Sequence, residues 1–230
     1  MYFQHAPAIR SAHPGLAATA ITAAGITADA DVEEQVARFT AIANARLAGG
    51  AESDLAEIKA WRQAFSTMGL KPTQYRCASE ALLRRLRKEG ELPRIHPLID
   101  LCNAVSVAFA IPVAALDLDQ ISGDLEVRPA IGDEVYHTFG GTTENPEPGE
   151  VIFADSENTS HARRWTNRQS GLSAVRAQTS RVLIVAEALH ESAAEDISAL
   201  MKTLVEELTA VWRVTPVSAV LSQEAPRFTV

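Results

Sequence analysis

Apolar and polar positions alternate along this chain with two different periods. Val32, Val36, Phe39, Ala43 and Leu47 recur every three or four residues and predict an amphipathic helix. Asp31, with Glu34 three positions on, resembles a capping box at its start, and Gly49-Gly50 ends it. Leu55, Ile58, Trp61 and Phe65 predict a second helix, capped by Ser53 and stopping near Gly69, so the two neighbours are expected as a helical hairpin. A third helix is predicted after Pro72, over 79–88. Leu98, Leu101, Val105 and Ala108 predict a buried helix over 97–110.

From 111 to 151 the period changes. Leu125, Val127 and Val135, broken by Gly123, Pro129, Gly132 and Gly140-Gly141, predict short antiparallel strands and turns packed against the 97–110 helix. Buried strands are expected over 149–154 and 182–186, and an early one over 18–26 after the His13-Pro14-Gly15 turn. Ser192, with Glu195 after it, opens a last helix lined by Ile197, Leu200, Leu204, Leu208 and Val211. Helices, then strands, then a helix predict an α+β fold rather than a doubly wound sheet.

Composition narrows the picture. With 230 residues, 47% of them hydrophobic, the chain can bury a sizeable core as one large domain or two small ones. No apolar run is long enough to span a membrane, and Met1-Tyr2-Phe3-Gln4-His5 does not read as a secretory signal. Cys77 and Cys102 are the only thiols, which predicts a reducing, cytoplasmic setting rather than a disulfide scaffold. The net charge of −8 opposes indiscriminate nucleic-acid binding, so no DNA partner is expected and any RNA contact needs a local basic patch.

The residues with chemistry are few. Asn103 sits on an apolar helix and must be hydrogen-bonded if buried, either to a turn or in a pocket. Asp100 and Asp117 suit caps or loop ties, with paired acid–base chemistry as the other reading. His96, one turn before Asp100, suits a boundary position or a water-orienting role. Cys102 reads as a buried thiol, since His96 does not share its helix face. Arg163, Arg164 and Arg168, with Trp165 among them, suit either an ion-pair network or recognition of an anion beside a stacked ring. No metal-ligand spacing or phosphate-cradling glycine loop is present, so neither metal nor cofactor is expected.

Four stretches in order resemble one family. Pro97-Leu-Ile-Asp100-Leu-Cys-Asn103-Ala-Val-Ser is similar to the Val-Val-Asp-x-Thr-Asn-Tyr-Val helix of the B3/B4 editing domain in the phenylalanyl-tRNA synthetase β subunit. Ile111-Pro-Val-Ala-Ala-Leu-Asp117 resembles its Gln-Pro-x-His-Ala-Phe-Asp. Ile121-x-Gly123-x-Leu125-x-Val127-Arg128-x-Ala130 resembles Ile-x-Gly-x-Ile-x-Val-Arg-x-Ala, and Pro148-Gly149-Glu150 through Ala154-Asp155 the later strand ending in Ala-Asp. The resemblance covers about residues 70–190. The flanks Pro72-Thr73-x-Tyr75-Arg76, Ser79-Glu80-Ala-Leu-Leu-Arg84-Arg85 and Arg163-Arg164-Trp165-x-x-Arg168-Gln169-Ser170 look like free-standing B3/B4 proteins.

The resemblance implies one layered B3/B4-type domain over 1–230, with a mixed or antiparallel sheet flanked by helices. It implies hydrolysis of an ester on a mischarged tRNA, with aminoacyl-tRNA as partner, and makes Arg84, Arg85, Arg87 and Lys88 either a solvated helix face or a tRNA phosphate contact. The alternatives are a non-catalytic RNA- or amino-acid-binding module, or a hydrolase of a small acyl or amide compound. The family pocket uses a Thr-Asn pair, a histidine and a glutamate. Here Asn103 matches the asparagine, Cys102 replaces threonine, Ala114 stands at the histidine and Val185 at the glutamate. Glu187, two residues on, falls on the same strand face. The resemblance thus implies Asn103 and Glu187 as catalytic residues. Arg76, His96, Asp100, Cys102, Asp117, Arg163, Arg164, Trp165 and Arg168 are the substrate-binding candidates. Asn103 is expected to face a cavity shared with Arg163 or Arg164.

Overall fold

Phe3 and His5 point inward while Tyr2 and Gln4 stay partly exposed, the period of two expected of a strand. This strand, β1 (Tyr2–His5), opens the computed structural model, which describes residues 1–230. The chain continues through α1 (Pro7–Ala12), β2 (Ala17–Ala24), α2 (Glu33–Leu47), α3 (Ala56–Thr67), α4 (Ala78–Glu89) and α5 (Pro97–Phe109). Then come β3 (Val113–Asp117), β4 (Leu125–Pro129), β5 (Val135–His137), β6 (Thr143–Glu144), β7 (Val151–Asp155), β8 (Thr159–Arg163), β9 (Arg168–Gln169) and β10 (Arg181–Ala188). The chain closes with α6 (Ala193–Trp212), β11 (Val217–Leu221) and β12 (Arg227–Thr229).

The strands divide between two sheets. The larger has the order β12-β1-β4-β7-β8-β5-β6, with β9 paired to β8. It is mixed, because β1 with β4 and β5 with β8 run parallel. The smaller, β11-β2-β10-β3, is antiparallel throughout. The architecture is α+β. Its central strand β10 is buried at nearly every position, as a strand covered on both faces must be. On one face α6 lays Ile197, Leu200, Leu204 and Leu208 against β2, β10 and β11. Val185 and Glu187 project from the opposite face toward the larger sheet. The all-round apolar helix α5 is enclosed by α2, α4, α6 and β3.

Several local expectations are corrected. The α2–α3 hairpin does not form, because α2 packs on α5 instead. Ser53 lies in a short 3-10 turn (Glu52–Asp54), and Leu55 occupies the N-cap of α3. Asp31 accepts from the Glu33 N–H at 2.9 Å, but the Ser192 hydroxyl donates to the Asp196 carboxylate at 2.7 Å rather than capping α6. Of the 111–151 strands, β3 packs on α5 while the rest join the larger sheet. β1, α1, β11 and β12 are additions. No helix is long and apolar enough to cross a membrane.

Candidate functional site

A cavity of about 70 Å³ opens between the two sheets. Pro112 and β3 (Val113, Ala114, Leu116) with β10 (Val185, Glu187) form one wall. Phe153 of β7, Ala162 of β8, the segment Trp165-Thr166-Asn167-Arg168, Gln169 and Ala78 form the other. Mostly apolar walls with a few converging polar groups are the usual make-up of a small-molecule site.

Local chemistry shapes the second wall. Arg164 and Trp165 take left-handed backbone conformations, with φ of 48° and 57°. Two consecutive non-glycine residues there are uncommon and strained, so the surroundings must hold them. They do: the Trp165 N–H bonds the Val151 carbonyl at 2.7 Å, and the Ala78 N–H bonds the Thr166 carbonyl at 2.8 Å. The Asn167 amide donates to the Arg76 carbonyl at 2.7 Å. The turn is thereby clamped between β7 and the start of α4. Its result is a buried Trp165 indole, packed edge-on against Trp61 and His13 with centroids 4.9 Å away in each case.

The polar focus is Glu187, 2% exposed. Its Oε1 accepts from Trp165 Nε1 at 2.7 Å and lies 2.6 Å from His5 Nε2. Oε2 has no hydrogen-bond partner in the protein. The Thr166 hydroxyl is likewise buried without a partner. A buried hydroxyl beside a cavity is costly unless something bonds to it. Gln169, the remaining polar liner, is committed to the Ala115 carbonyl at 2.8 Å. Burial lowers the pKa of nearby His13.

Among the sequence candidates, Glu187, Trp165 and Arg168 line this cavity, and the others do not. Asn103 is half-buried on α5, makes no side-chain hydrogen bond and does not share the cavity with Arg163 or Arg164. Cys102 is buried, and desolvation pushes its thiol up to about 12. His96 caps α5, its Nδ1 accepting from the Leu98 N–H at 3.2 Å, and burial lowers its pKa against the opposing pull of Asp100. Asp100 accepts from the Ile95 N–H at 2.8 Å. Asp117 accepts from the Asp119 N–H at 3.0 Å and the Thr179 hydroxyl at 2.6 Å. These two carboxylates tie loops.

The arginines divide. Arg163 is buried and forks onto Glu150 with two bonds of 2.8 Å, adding one to Glu144 at 2.7 Å. Burial pushes Glu150 up, but Arg163 outweighs it and holds that carboxyl below its ordinary value. Arg168 also pairs with Glu144, at 3.0 Å, and stands over the Tyr136 ring. Arg76 donates to the Thr73 carbonyl at 2.7 Å. Arg164 stacks on Tyr75 and has no carboxylate partner. On α4, Arg84 and Arg87 both pair with the buried Glu52, and Arg85 with Glu89, so two carboxylates offset half the charge of that basic run.

Glu57, His190 and Asp196 bring ligand-type atoms within 4.8 Å of one another. Arg46 already bonds Glu57 at 2.6 Å and His190 pairs with Asp196 at 2.7 Å, so these groups already have partners within the protein. His5 and Arg10 were invisible to motif reading. The Phe3/His5 alternation was the available signal.

Comparison with known proteins places this geometry in context. Residues 60–207 match the B3/4 domain family. The chain is 26% identical to the phenylalanine–tRNA ligase β subunit of Photorhabdus laumondii over 88 residues, 38% of this chain and 11% of that one. It is 33% identical to the same subunit from Fusobacterium nucleatum over 76 residues, 33% of this chain and 9% of that one. The chain therefore spans about a tenth of the length of these relatives. An N-terminal fragment of the phenylalanyl-tRNA synthetase β subunit from Pyrococcus horikoshii superposes with a TM-score of 0.50 at 9% identity. That superposition covers 96% of this chain and 54% of that one, a likeness of fold.

Proposed function

From the premise that this chain belongs to the B3/4 domain family, we propose that it hydrolyses an aminoacyl-tRNA ester in trans, with the aminoacyl group held in the cavity between the two sheets. The observation that carries this reading is Glu187, a buried residue lining an apolar cavity, whose Oε1 is held by His5 and Trp165 while Oε2 carries no protein hydrogen bond. A water held there loses a proton to Oε2 as its oxygen attacks the ester carbonyl. The proton passes to the departing ribose oxygen as the acyl bond breaks, which leaves free amino acid and intact tRNA. The unpartnered Thr166 hydroxyl is available to donate to the substrate, and Arg164, free of carboxylates, to meet a phosphate at the rim. The apolar wall around Glu187 concentrates these few polar contacts.

The test is a deacylation screen of the purified chain over all charged tRNAs. We expect release of at least one amino acid, and a loss of roughly 100-fold or more in kcat for Glu187→Gln, the lower range of what a positioned base contributes. Normal turnover by the Glu187→Gln protein, or no release from any tRNA, would sink the reading. The commitment of Arg163 to Glu150 and Glu144 favours a second one, hydrolysis of a small acyl compound without tRNA. Equal kcat/KM for a free aminoacyl ester and for the matching aminoacyl-tRNA would select it.

A further inference from the structure

β1 and α1 lie outside the family-matched residues 60–207, yet His5 of β1 touches Glu187, which lines the cavity. His5 Nε2 stands 2.6 Å from Glu187 Oε1, and His5 Nδ1 stands 3.5 Å from Arg10 Nη2. All three side chains are buried. A guanidinium only donates, so Nδ1 is the acceptor in that contact and the imidazole proton sits on Nε2, where it donates to Glu187. A proton on Nδ1 would face an N–H with an N–H. With Trp165 donating to the same Oε1, that oxygen is saturated. The remaining hydrogen-bonding capacity of the carboxylate is then at Oε2.

We infer that His5 is a positioning residue for the chemistry of Glu187, with Arg10 locking its tautomer. This rests on the reading of Glu187 as the working base. His5 takes no proton from substrate, because its Nε2–H is spent on Oε1 and its Nδ1 is turned to Arg10. Its contribution is to hold one carboxylate oxygen so that the other faces the cavity. The second donor, Trp165, comes from the strained turn. The carboxylate is therefore gripped from two parts of the chain that are 160 residues apart in sequence, His5 and Trp165 (165 minus 5).

The experiment uses the full chain with His5→Leu, His5→Gln and Arg10→Met, checked for melting. For His5→Leu we expect kcat to fall roughly 10-fold or more with KM little changed, a part of the at least ~100-fold that a positioned base supplies. His5→Gln should recover most of it, since its amide N–H donates to the same oxygen. In the Glu187→Gln background, His5→Leu should cost nothing further. Nitrogen-15 NMR of the wild type should show the Nε2–H tautomer of His5, and Arg10→Met should mix the tautomers. Wild-type kcat in His5→Leu, equal losses in Leu and Gln variants, or an Nδ1–H tautomer would overturn the inference. If the wild type turns over no aminoacyl-tRNA, the functional reading fails separately. The NMR arm then decides the positioning, upheld by a tautomer that Arg10→Met disturbs and overturned by one that it does not. A His5→Leu chain that fails to fold leaves the decision to Arg10→Met and to His5→Gln.

Discussion

Burial decides what Cys102 can do. Its thiol is 2% exposed on α5, and desolvation raises it to about 12, so almost none is thiolate near neutrality. Cys102→Ser should therefore keep wild-type turnover per folded molecule. It should also lower stability by about 1 kcal/mol, because a hydroxyl replaces an apolar thiol in a desolvated position. Steady-state kinetics and a melting curve on one preparation check both. Loss of turnover with the fold intact would instead make the thiol a participant. At this scale the sequence was legible where a local period governs: Glu187 shares a face with Val185 because strand side chains alternate. Asn103 was not legible. Helical position alone cannot say which neighbour a half-buried side chain meets, and on α5 Asn103 does not line the cavity.

The hairpin of β8 and β9 shows how an element is held by charges distant in sequence. Arg163 and Arg168 are cross-strand partners, and their carboxylates Glu144 and Glu150 come from β6 and from the residue before β7. Three arginines in six positions advertised either anion binding or an ion-pair network. The choice between them lay in pairing that no local pattern encodes. Arg163 and Glu150 are both nearly covered, at 6% and 7% side-chain exposure, so deleting Arg163 leaves Glu150 charged without its guanidinium partner. Arg163→Met should cost about 3 kcal/mol at neutral pH. The pH dependence follows from the direction of the Glu150 shift. The folded carboxyl ionises below its ordinary value of 4.5, so the native state binds fewer protons than the unfolded one in that range. Its stabilisation is complete above the unfolded value and is lost as pH falls through the folded one. The melting gap between wild type and Arg163→Met should therefore narrow below about pH 4.5. A gap unchanged down to pH 3 would detach the ion pair from stability.

Across the whole molecule, the helical periods were legible because α2 and α6 carry their apolar stripes in unbroken sequence, and the family was legible because four motif stretches follow one another in order. The division into two sheets was not, since it depends on pairings that join the chain's ends. Tyr2 pairs with Thr229, the Val230 N–H bonds the Met1 carbonyl at 3.1 Å, and β1 lies between β12 and β4. Phe3 is the apolar residue at that junction. It is fully buried, stacks on Phe153 at 6.0 Å between centroids and meets His5 edge-on at 5.4 Å. One contiguous apolar cluster runs from Phe3, Phe153 and Phe228 of the larger sheet to Ile21 and Val185 of the smaller and Leu204 of α6. That cluster spans both sheets, so they are expected to melt together. Calorimetry should therefore show one transition with matching calorimetric and van't Hoff enthalpies. Phe3→Ala removes a ring from the point where the termini close the sheet, at a cost of about 3–5 kcal/mol. For a chain of this length that lowers the midpoint by roughly 6 to 20 °C. It should do so without splitting the peak, because the cavity left by Phe3 borders both Phe153 and the His5–Glu187 contact that joins the two sheets. Two resolved transitions, in the wild type or in Phe3→Ala, would mean that the sheets are separate cooperative units.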